Sequence, residues 1–314
     1  MKTIAIKDFG AADALTEMNL PDLTITANEI LVGVHAFSIN PMDIAGRAGY
    51  LGSPFTDEWT FPLVLGYDFS GVVQAVGADV TDYHVGDKVF GQAPTTRPGN
   101  NGAYSEAVVV TPDLIAPMPA GLSFDQSAAL PIAGLTAYCA IVKNLNVQPD
   151  EKVLIQGGSG GVGLFAVQIA KALGAYVATT ASPSHTELLK SLGVDEVIDY
   201  HQVSPADVLH DYDAVFDTVG DIDTGLQVLK ADGQLVTVAA QPTPEQQHHL
   251  QQDVMFQFTN GTPEDLTTLA NFVLDGKIKL SLAVMPFTAA DVIKAHEMIE
   301  GHHVTGKIVI HVQD

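Results

Sequence analysis

The residues best placed to do chemistry form a short run of small ones, Gly158-Ser159-Gly160-Gly161-Val162-Gly163. The run follows an apolar stretch, residues 153–156, and leads directly into a helix-periodic segment, residues 161–173. Glycines at this spacing let a backbone turn tightly and approach a pyrophosphate, whose charge then rests on the free N–H groups at the start of the helix. A glycine-rich turn without a ligand would give the same letters, but the strand before it and the helix after it favour a dinucleotide site. Ser159, Gly160, Gly161, Val162 and Gly163 are therefore candidate cofactor contacts. An acid about 20 residues further on would hold an adenosine ribose 2′-hydroxyl. Here the stretch reads Ala178-Thr179-Thr180-Ala181-Ser182-Pro183-Ser184-His185, small and polar, with room for a 2′-phosphate. That favours NADPH, with the phosphate resting on Ser182, Ser184 or His185 and Lys190 more distant. The plain alternative makes Ser184 a helix cap and His185 a solvated first-turn residue.

These residues need a scaffold, and the sequence supplies two textures. Up to about residue 121, short apolar runs (30–34, 71–76 and 104–110) are separated by Gly, Pro and Asp turns, as in a compact β-rich domain. Beyond it, apolar runs at 153–156, 176–180, 196–199, 213–217 and 233–239 alternate with helical periodicity at 161–173 and 185–192, which implies βαβ units and a parallel sheet. Ser184 with Glu187, and Ser123 with Gln126, have capping-box spacing, and Gly193 is placed to end the first of these helices. Thr262, Pro263 and Asp265 read as cap, first residue and third-position acid of a helix over 263–275, with Gly276 as its stop. A further helix is expected over 289–300. Residues 307–312 alternate like an edge strand and have no place in the parallel sheet, so they are expected to rejoin the first domain.

Bulk properties narrow the function classes. At 314 residues the chain exceeds what one core usually organises, so two domains are expected. Fourteen Lys and Arg against 37 Asp and Glu give a formal charge of −23, which repels nucleic acid and anionic lipid. The single cysteine, Cys139, excludes an intrachain disulfide and a four-thiolate zinc site. No run of membrane-spanning length and no signal-like apolar core at the N-terminus is present, so a cytoplasmic protein is expected. The adjacent pairs His248-His249 and His302-His303 point different ways on a helix or strand and read as surface residues.

The run Asp150-Glu151-Lys152-Val153-Leu154, then Gly160-Gly161-Val162-Gly163, Gln168 and Lys171, resembles the signature of the zinc-free quinone oxidoreductase and ζ-crystallin branch of the medium-chain dehydrogenase/reductase superfamily. Gly158-Ser159 stands where that signature often has two Ser or Ala residues, a change expected to loosen the loop. Other blocks are similar to the same family: Ser38 to Asp43, Gly66 to Gly71, Val85 to Val89, Gly102 to Glu106, Leu130 to Tyr138, and Thr305-Gly306-Lys307. The resemblance implies an α/β fold, a Rossmann doubly wound parallel sheet plus a GroES-like β-rich domain. It places the GroES-like catalytic domain at 1–121 and 277–314 and the Rossmann NADP-binding domain at 122–276. It also implies a homodimer with its active site in a cleft.

By the same resemblance Asn40 lies near nicotinamide and substrate, Thr136 and Lys307 near the cofactor, and Tyr200 near the adenosine end. Tyr50 looks like the tyrosine of related enoyl reductases and is the candidate proton donor, since a neutral phenol can donate at pH 7; the alternative is that it only walls the pocket. A structural pairing of Asp43 and Arg47 is open, and neither is given a catalytic role. Tyr67 occupies the position of the family's metal-ligand His, so no metal is expected. Without a metal the electrophile must already be polarised, as in quinones and α,β-unsaturated carbonyls. NADPH-dependent reduction of a quinone or of an enone are both open, and so is a nucleotide-binding structural or regulatory protein with little turnover.

Overall fold

The structure, a computed structural model, describes residues 1–314 apart from Pro54, Arg97, His248, His249, Leu250, Asn260, His302 and His303. The two histidine pairs thus lie outside the described residues.

The first part of the chain carries strands β1 (Lys2–Ile6), β2 (Thr16–Asn19), β3 (Ile30–Ser38), β4 (Leu63–Val64), β5 (Asp68–Val76), β6 (Lys88–Gln92), β7 (Ala107–Val110) and β8 (Ile115–Pro117), with one short helix, α1 (Pro41–Arg47). Helices α2 (Phe124–Ala128) and α3 (Pro131–Tyr138) follow. Then come β9 (Lys152–Gln156), α4 (Gly161–Ala172), β10 (Tyr176–Ala181), α5 (Thr186–Ser191), β11 (Glu196–Asp199), α6 (Pro205–Val208), β12 (Tyr212–Asp217), α7 (Ile222–Val228), β13 (Leu229–Thr237), α8 (Pro244–Gln247) and β14 (Asp253–Phe256). The chain ends with α9 (Pro263–Leu274), β15 (Leu282–Pro286), α10 (Ala289–Glu300) and β16 (Lys307–His311).

Two compact units result: Met1–Ile132 with Thr262–Leu274 and Leu280–Asp314, and Ala133–Gly261 with Asp275–Lys279. The sequence reading assigns 122–276 to one domain, whereas α2 packs on β3, β5 and β16, and α9 packs on β8, so both helices group with the first unit.

In the first unit a seven-stranded sheet runs β15-β16-β3-β5-β6-β8, with β7 pairing β3, and a smaller sheet runs β2-β1-β4. Strand β16 is not an edge strand as its alternation suggests. It lies between β15, to which it is parallel, and β3, to which it is antiparallel. Residues Lys307–Ile310 are buried for that reason. Phe37, Phe69, Ile30, Ile308 and Ile310 fill the core beneath.

The second unit is the doubly wound sheet, six parallel strands in the order β11-β10-β9-β12-β13-β14. β9 is apolar without alternation because both of its faces are covered. Val153, Leu154 and Ile155 are each fully buried and contribute roughly 1.5–3 kcal/mol apiece. The boxes Ser123/Gln126 and Thr262/Asp265 form as their spacing predicts. The Ser184/Glu187 box does not. The 3-10 turn Pro183–His185 precedes α5, and Ser182 is the residue before that turn.

Candidate active site

The order of the parallel strands reverses at β9: the chain steps outward to β10 and β11, then returns to β12 on the other side of β9. Ligands of such sheets sit outside the carboxyl ends at this switch point. The register puts four of those ends level, pairing Thr179 with Ile155, Ala181 with Asp199, and Asp217 with Gln156. Gathered there are the glycine loop after β9, Ser182–His185 after β10, Tyr200 after β11, and the turn 218–220 after β12.

Glycine identity in the loop follows from close packing. A Cβ on Gly163 would meet the Gly157 carbonyl oxygen at 2.1 Å, and one on Gly158 would meet Thr179 Oγ1 at 2.0 Å. Glycine is needed at 158 because Thr179, held by the Ile155 carbonyl, fills the space a side chain would take. Thr180 accepts the Gly157 and Gly158 amides, through Oγ1 at 2.8 Å and its carbonyl at 3.1 Å. Asp217, fully buried, accepts the Val219 and Gly220 amides at 2.9 and 2.8 Å and Thr237 Oγ1–H at 2.7 Å, which fixes the neighbouring turn. Helix α4 begins at Gly161 with Gly160 as its cap and no side-chain capping bond, so the N–H groups of its first turn have no intrahelical acceptor. A pyrophosphate fits this cradle.

At the end of β10, Ser182 Oγ lies 2.9 Å from His185 Nδ1 and 3.3 Å from Ser184 Oγ. The three side chains expected at a 2′-phosphate are thus together. Tyr200 is 54% exposed, with its ring 4.2 Å from that of His201. Thr136 belongs to a separate cluster: its Oγ1 is 3.0 Å from Thr259 Oγ1, and Gln257 Nε2 donates to the Thr136 carbonyl and to Thr259. Gln257 and Thr259 follow β14, and sequence reasoning missed both because no local motif marks them.

The first unit holds Asn40, Lys307 and Tyr50. Asn40 precedes α1, where an Asn side chain ordinarily caps the helix. Asp43, at the third helical position, stands in capping-box relation to it. The Asn40 side chain also reaches away from the helix: Nδ2 donates to Asp68 Oδ2 at 2.8 Å and Oδ1 accepts from Lys307 Nζ. Lys307 Nζ also donates to the Ile39 carbonyl at 3.1 Å and to Asp68 at 3.4 Å. Asp68 takes further bonds from Ser38 Oγ–H and from the Ile132 amide, the latter at 2.7 Å. Burial pushes the Lys307 ammonium down from its ordinary value, opposed by the Asp68 and Asp43 carboxylates.

Asp43 and Arg47 each bond to other groups. Asp43 accepts the Asn40 amide at 2.8 Å and the Gly66 amide at 3.1 Å, with the Tyr104 hydroxyl also bonded to it. Arg47 turns away to Glu300, the Gly10 carbonyl and His296 Nδ1. A guanidinium cannot accept, so Nδ1 is the accepting nitrogen and Nε2 carries the proton toward Tyr104 Oη at 2.9 Å. Burial and the Arg47 charge lower the His296 pKa to about 3, so the ring is neutral. Tyr50 lies beyond the other end of α1, its amide bonded to the Ala45 carbonyl, and is 85% exposed. The structure brings Asn40 and Lys307 together and leaves Tyr50 apart from them.

Tyr67, at the metal-ligand position, is buried. Among the described residues no three His, Cys, Asp or Glu side chains converge in a way that could hold a metal ion, and no helix is long and apolar enough to cross a membrane.

Residues 26–120 match the alcohol dehydrogenase GroES-like domain family, and residues 192–310 match a family described as zinc-binding dehydrogenase. A 2-methylene-furan-3-one reductase of Solanum lycopersicum is 34% identical over 321 residues, spanning 99% of this chain and 79% of the relative. The chain belongs to the medium-chain dehydrogenase/reductase superfamily. Among solved medium-chain reductases, the quinone oxidoreductase from Coxiella burnetii is 35% identical with a TM-score of 0.91, covering 100% of this chain and 99% of that one. The Escherichia coli quinone oxidoreductase complexed with NADPH is 28% identical with a TM-score of 0.87, over 99% of this chain and 100% of that one.

Proposed function

We propose that this medium-chain reductase transfers hydride from NADPH to a quinone or an α,β-unsaturated carbonyl, without zinc. The observation that carries the reading is the glycine cradle at the switch point of the parallel sheet, with Ser182, Ser184 and His185 where an acid would select NADH. The similarity to quinone oxidoreductases and to a furanone reductase supports the acceptor class. Bound NADPH supplies the hydride. The chain's own work is to hold the pyrophosphate on the amides of 159–163, and the adenosine end on Ser182, His185 and Tyr200. Thr136, Asn40 and Lys307 are assigned to the nicotinamide end, and charge developing on the acceptor oxygen needs a donor. Tyr50 is the proposed proton donor. Its exposure supports access to a proton, and its phenol is not committed to the buried clusters.

The zinc-free reading is supported by Tyr67 at the metal-ligand position and by the single cysteine, Cys139. A cytoplasmic setting is proposed from the single, buried Cys139 and the acidic composition. A homodimer is proposed from the open edge of the parallel sheet: β14 pairs only β13 among the described residues.

The deciding experiment follows NADPH and NADH oxidation against a panel of 1,4-quinones, enones and enoyl thioesters. Turnover of one of these classes with NADPH preferred is expected. Saturable NADPH binding with no turnover of any acceptor would reject the reductase reading in favour of a nucleotide-binding protein. Tyr50→Phe is expected to lower enone turnover by at least about a hundredfold with NADPH affinity unchanged; undiminished turnover removes Tyr50 as donor.

A further inference from the structure

Three ionisable side chains are buried around Asn40: Asp43, Asp68 and Lys307, none more than 5% exposed. Burying a lysine and a carboxylate is expensive, and a well-packed apolar pair is often as stable or more so. Stability alone therefore does not account for them.

What they do to Asn40 is specific. A carboxamide can flip end for end with little torsional cost, exchanging its donor and acceptor. Here an ammonium sits against Oδ1 and a carboxylate against Nδ2, and in the flipped state both contacts become repulsive. The backbone is pinned as well, through the Asp43 carboxylate on the Asn40 amide. All three ammonium protons of Lys307 already have acceptors within the cluster, the Ile39 carbonyl, Asn40 Oδ1 and Asp68 Oδ2, which leaves none for a ligand. Asn40 Nδ2 carries two protons and gives one to Asp68. Among the described residues its second proton has no acceptor, and polarisation by the ammonium at the other end of the amide strengthens it as a donor.

We propose that Lys307 and Asp68 are positioning residues, which lock the Asn40 carboxamide in the one orientation that offers an N–H, rather than a carbonyl, to the nicotinamide or the acceptor. An N–H is the group that stabilises oxygen as it gains negative charge during hydride addition. The inference rests on the reductase reading above. It also reassigns Lys307 from direct cofactor contact to action through Asn40.

The test is a double-mutant cycle on the full chain, read by stopped-flow measurement of the hydride-transfer rate with the quinone or enone that the unaltered protein reduces fastest. NADPH affinity is measured separately by fluorescence titration. Lys307→Met is expected to slow hydride transfer on the order of a hundredfold with the NADPH dissociation constant unchanged within about twofold, the scale of loss that misplacing one catalytic group produces. Asn40→Ala is expected to do the same, and the double variant is expected to be no slower than either single one. Lys307→Arg, which keeps the donors, should recover part of the rate.

Losses that multiply in the double variant would overturn the proposal. So would a weakened NADPH affinity in Lys307→Met with the transfer rate intact, because both mean that Lys307 acts independently of Asn40. If circular dichroism shows Lys307→Met unfolded, Asp68→Asn takes its place in the cycle with the same expectations. An unaltered protein that oxidises no NADPH overturns the reductase reading itself, whereas multiplicative losses in an active one overturn only the positioning role.

Discussion

At the scale of single residues, charge placement decides what each group can do. His296 shows it most directly. Its folded-state pKa of about 3 lies below the ordinary 6.5, because the ring is fully buried against Arg47. Above pH 6.5 the ring is neutral in both folded and unfolded chains and contributes nothing to pH dependence. Between 6.5 and about 3 the unfolded chain takes up a proton that the folded ring refuses, so stability falls toward acid, with a limiting slope of about 1.4 kcal/mol per pH unit. His296→Gln is expected to lower stability at pH 7, by leaving Arg47 or Tyr104 short of a partner, yet to flatten the decline between pH 6.5 and 4. Urea midpoints measured across that range would show it, and an unchanged slope would mean that the ring is already charged. The end of β10 offers a second case. Ser182→Asp would put a carboxylate where a 2′-phosphate is proposed, and is expected to raise the Michaelis constant for NADPH on the order of tenfold or more, an effect of about 1.4 kcal/mol, while sparing NADH. Equal effects on both cofactors would place the 2′-phosphate elsewhere.

At the scale of elements, the glycine loop separates two demands on a backbone. Gly163 is needed by the fold itself, because its Cβ would strike the Gly157 carbonyl. Gly160 is different. Its φ of −74° and ψ of 173° suit any residue, and a Cβ there would lie no closer than 3.5 Å to the Gly157 carbonyl oxygen. If the cradle receives a pyrophosphate, Gly160 is a glycine for the ligand's sake. Gly160→Ala is accordingly expected to leave the thermal midpoint nearly unchanged while weakening NADPH binding about tenfold or more; calorimetric titration beside a thermal melt checks both halves. Elements also show why parts of the sequence misled. Residues 307–312 read as an edge strand, but Lys307–Ile310 are buried in succession and β16 lies between β15 and β3, so its partners made it an interior strand. Ser184 has the spacing of a cap, yet Pro183 opens a 3-10 turn before α5 and draws Ser182, Ser184 and His185 into one cluster.

At the scale of the whole molecule, the open edge at β14 bears on assembly. Met255 and Phe258 are exposed at or just past this edge. An edge strand with apolar neighbours is a template for a second copy. Light scattering is expected to give about twice the 33.1 kDa chain mass, and a Met255→Lys, Phe258→Glu double substitution is expected to shift it toward one chain. A monomeric mass for the unaltered protein would remove the proposed dimer. The net charge of −23 should keep either form from binding nucleic acid.

The sequence by itself determined what local chemistry can encode: the β-rich start, the alternating strands and helices, the glycine cradle and its helix, two capping boxes, and the absence of a cysteine set for zinc. Each is a signal spread over a few neighbouring residues, set by backbone sterics and hydrogen-bond reach. The tertiary structure alone decided where the charges went. Arg47 meets His296 across 249 positions and Lys307 meets Asn40 across 267, so no spacing rule could bring them together. Asp68 is unremarkable in its strand until folding surrounds it with Ser38, Asn40, Lys307 and the Ile132 amide. Which polar groups share a buried site depends on how strands and helices from both ends of the chain pack, and that is a property of the folded whole.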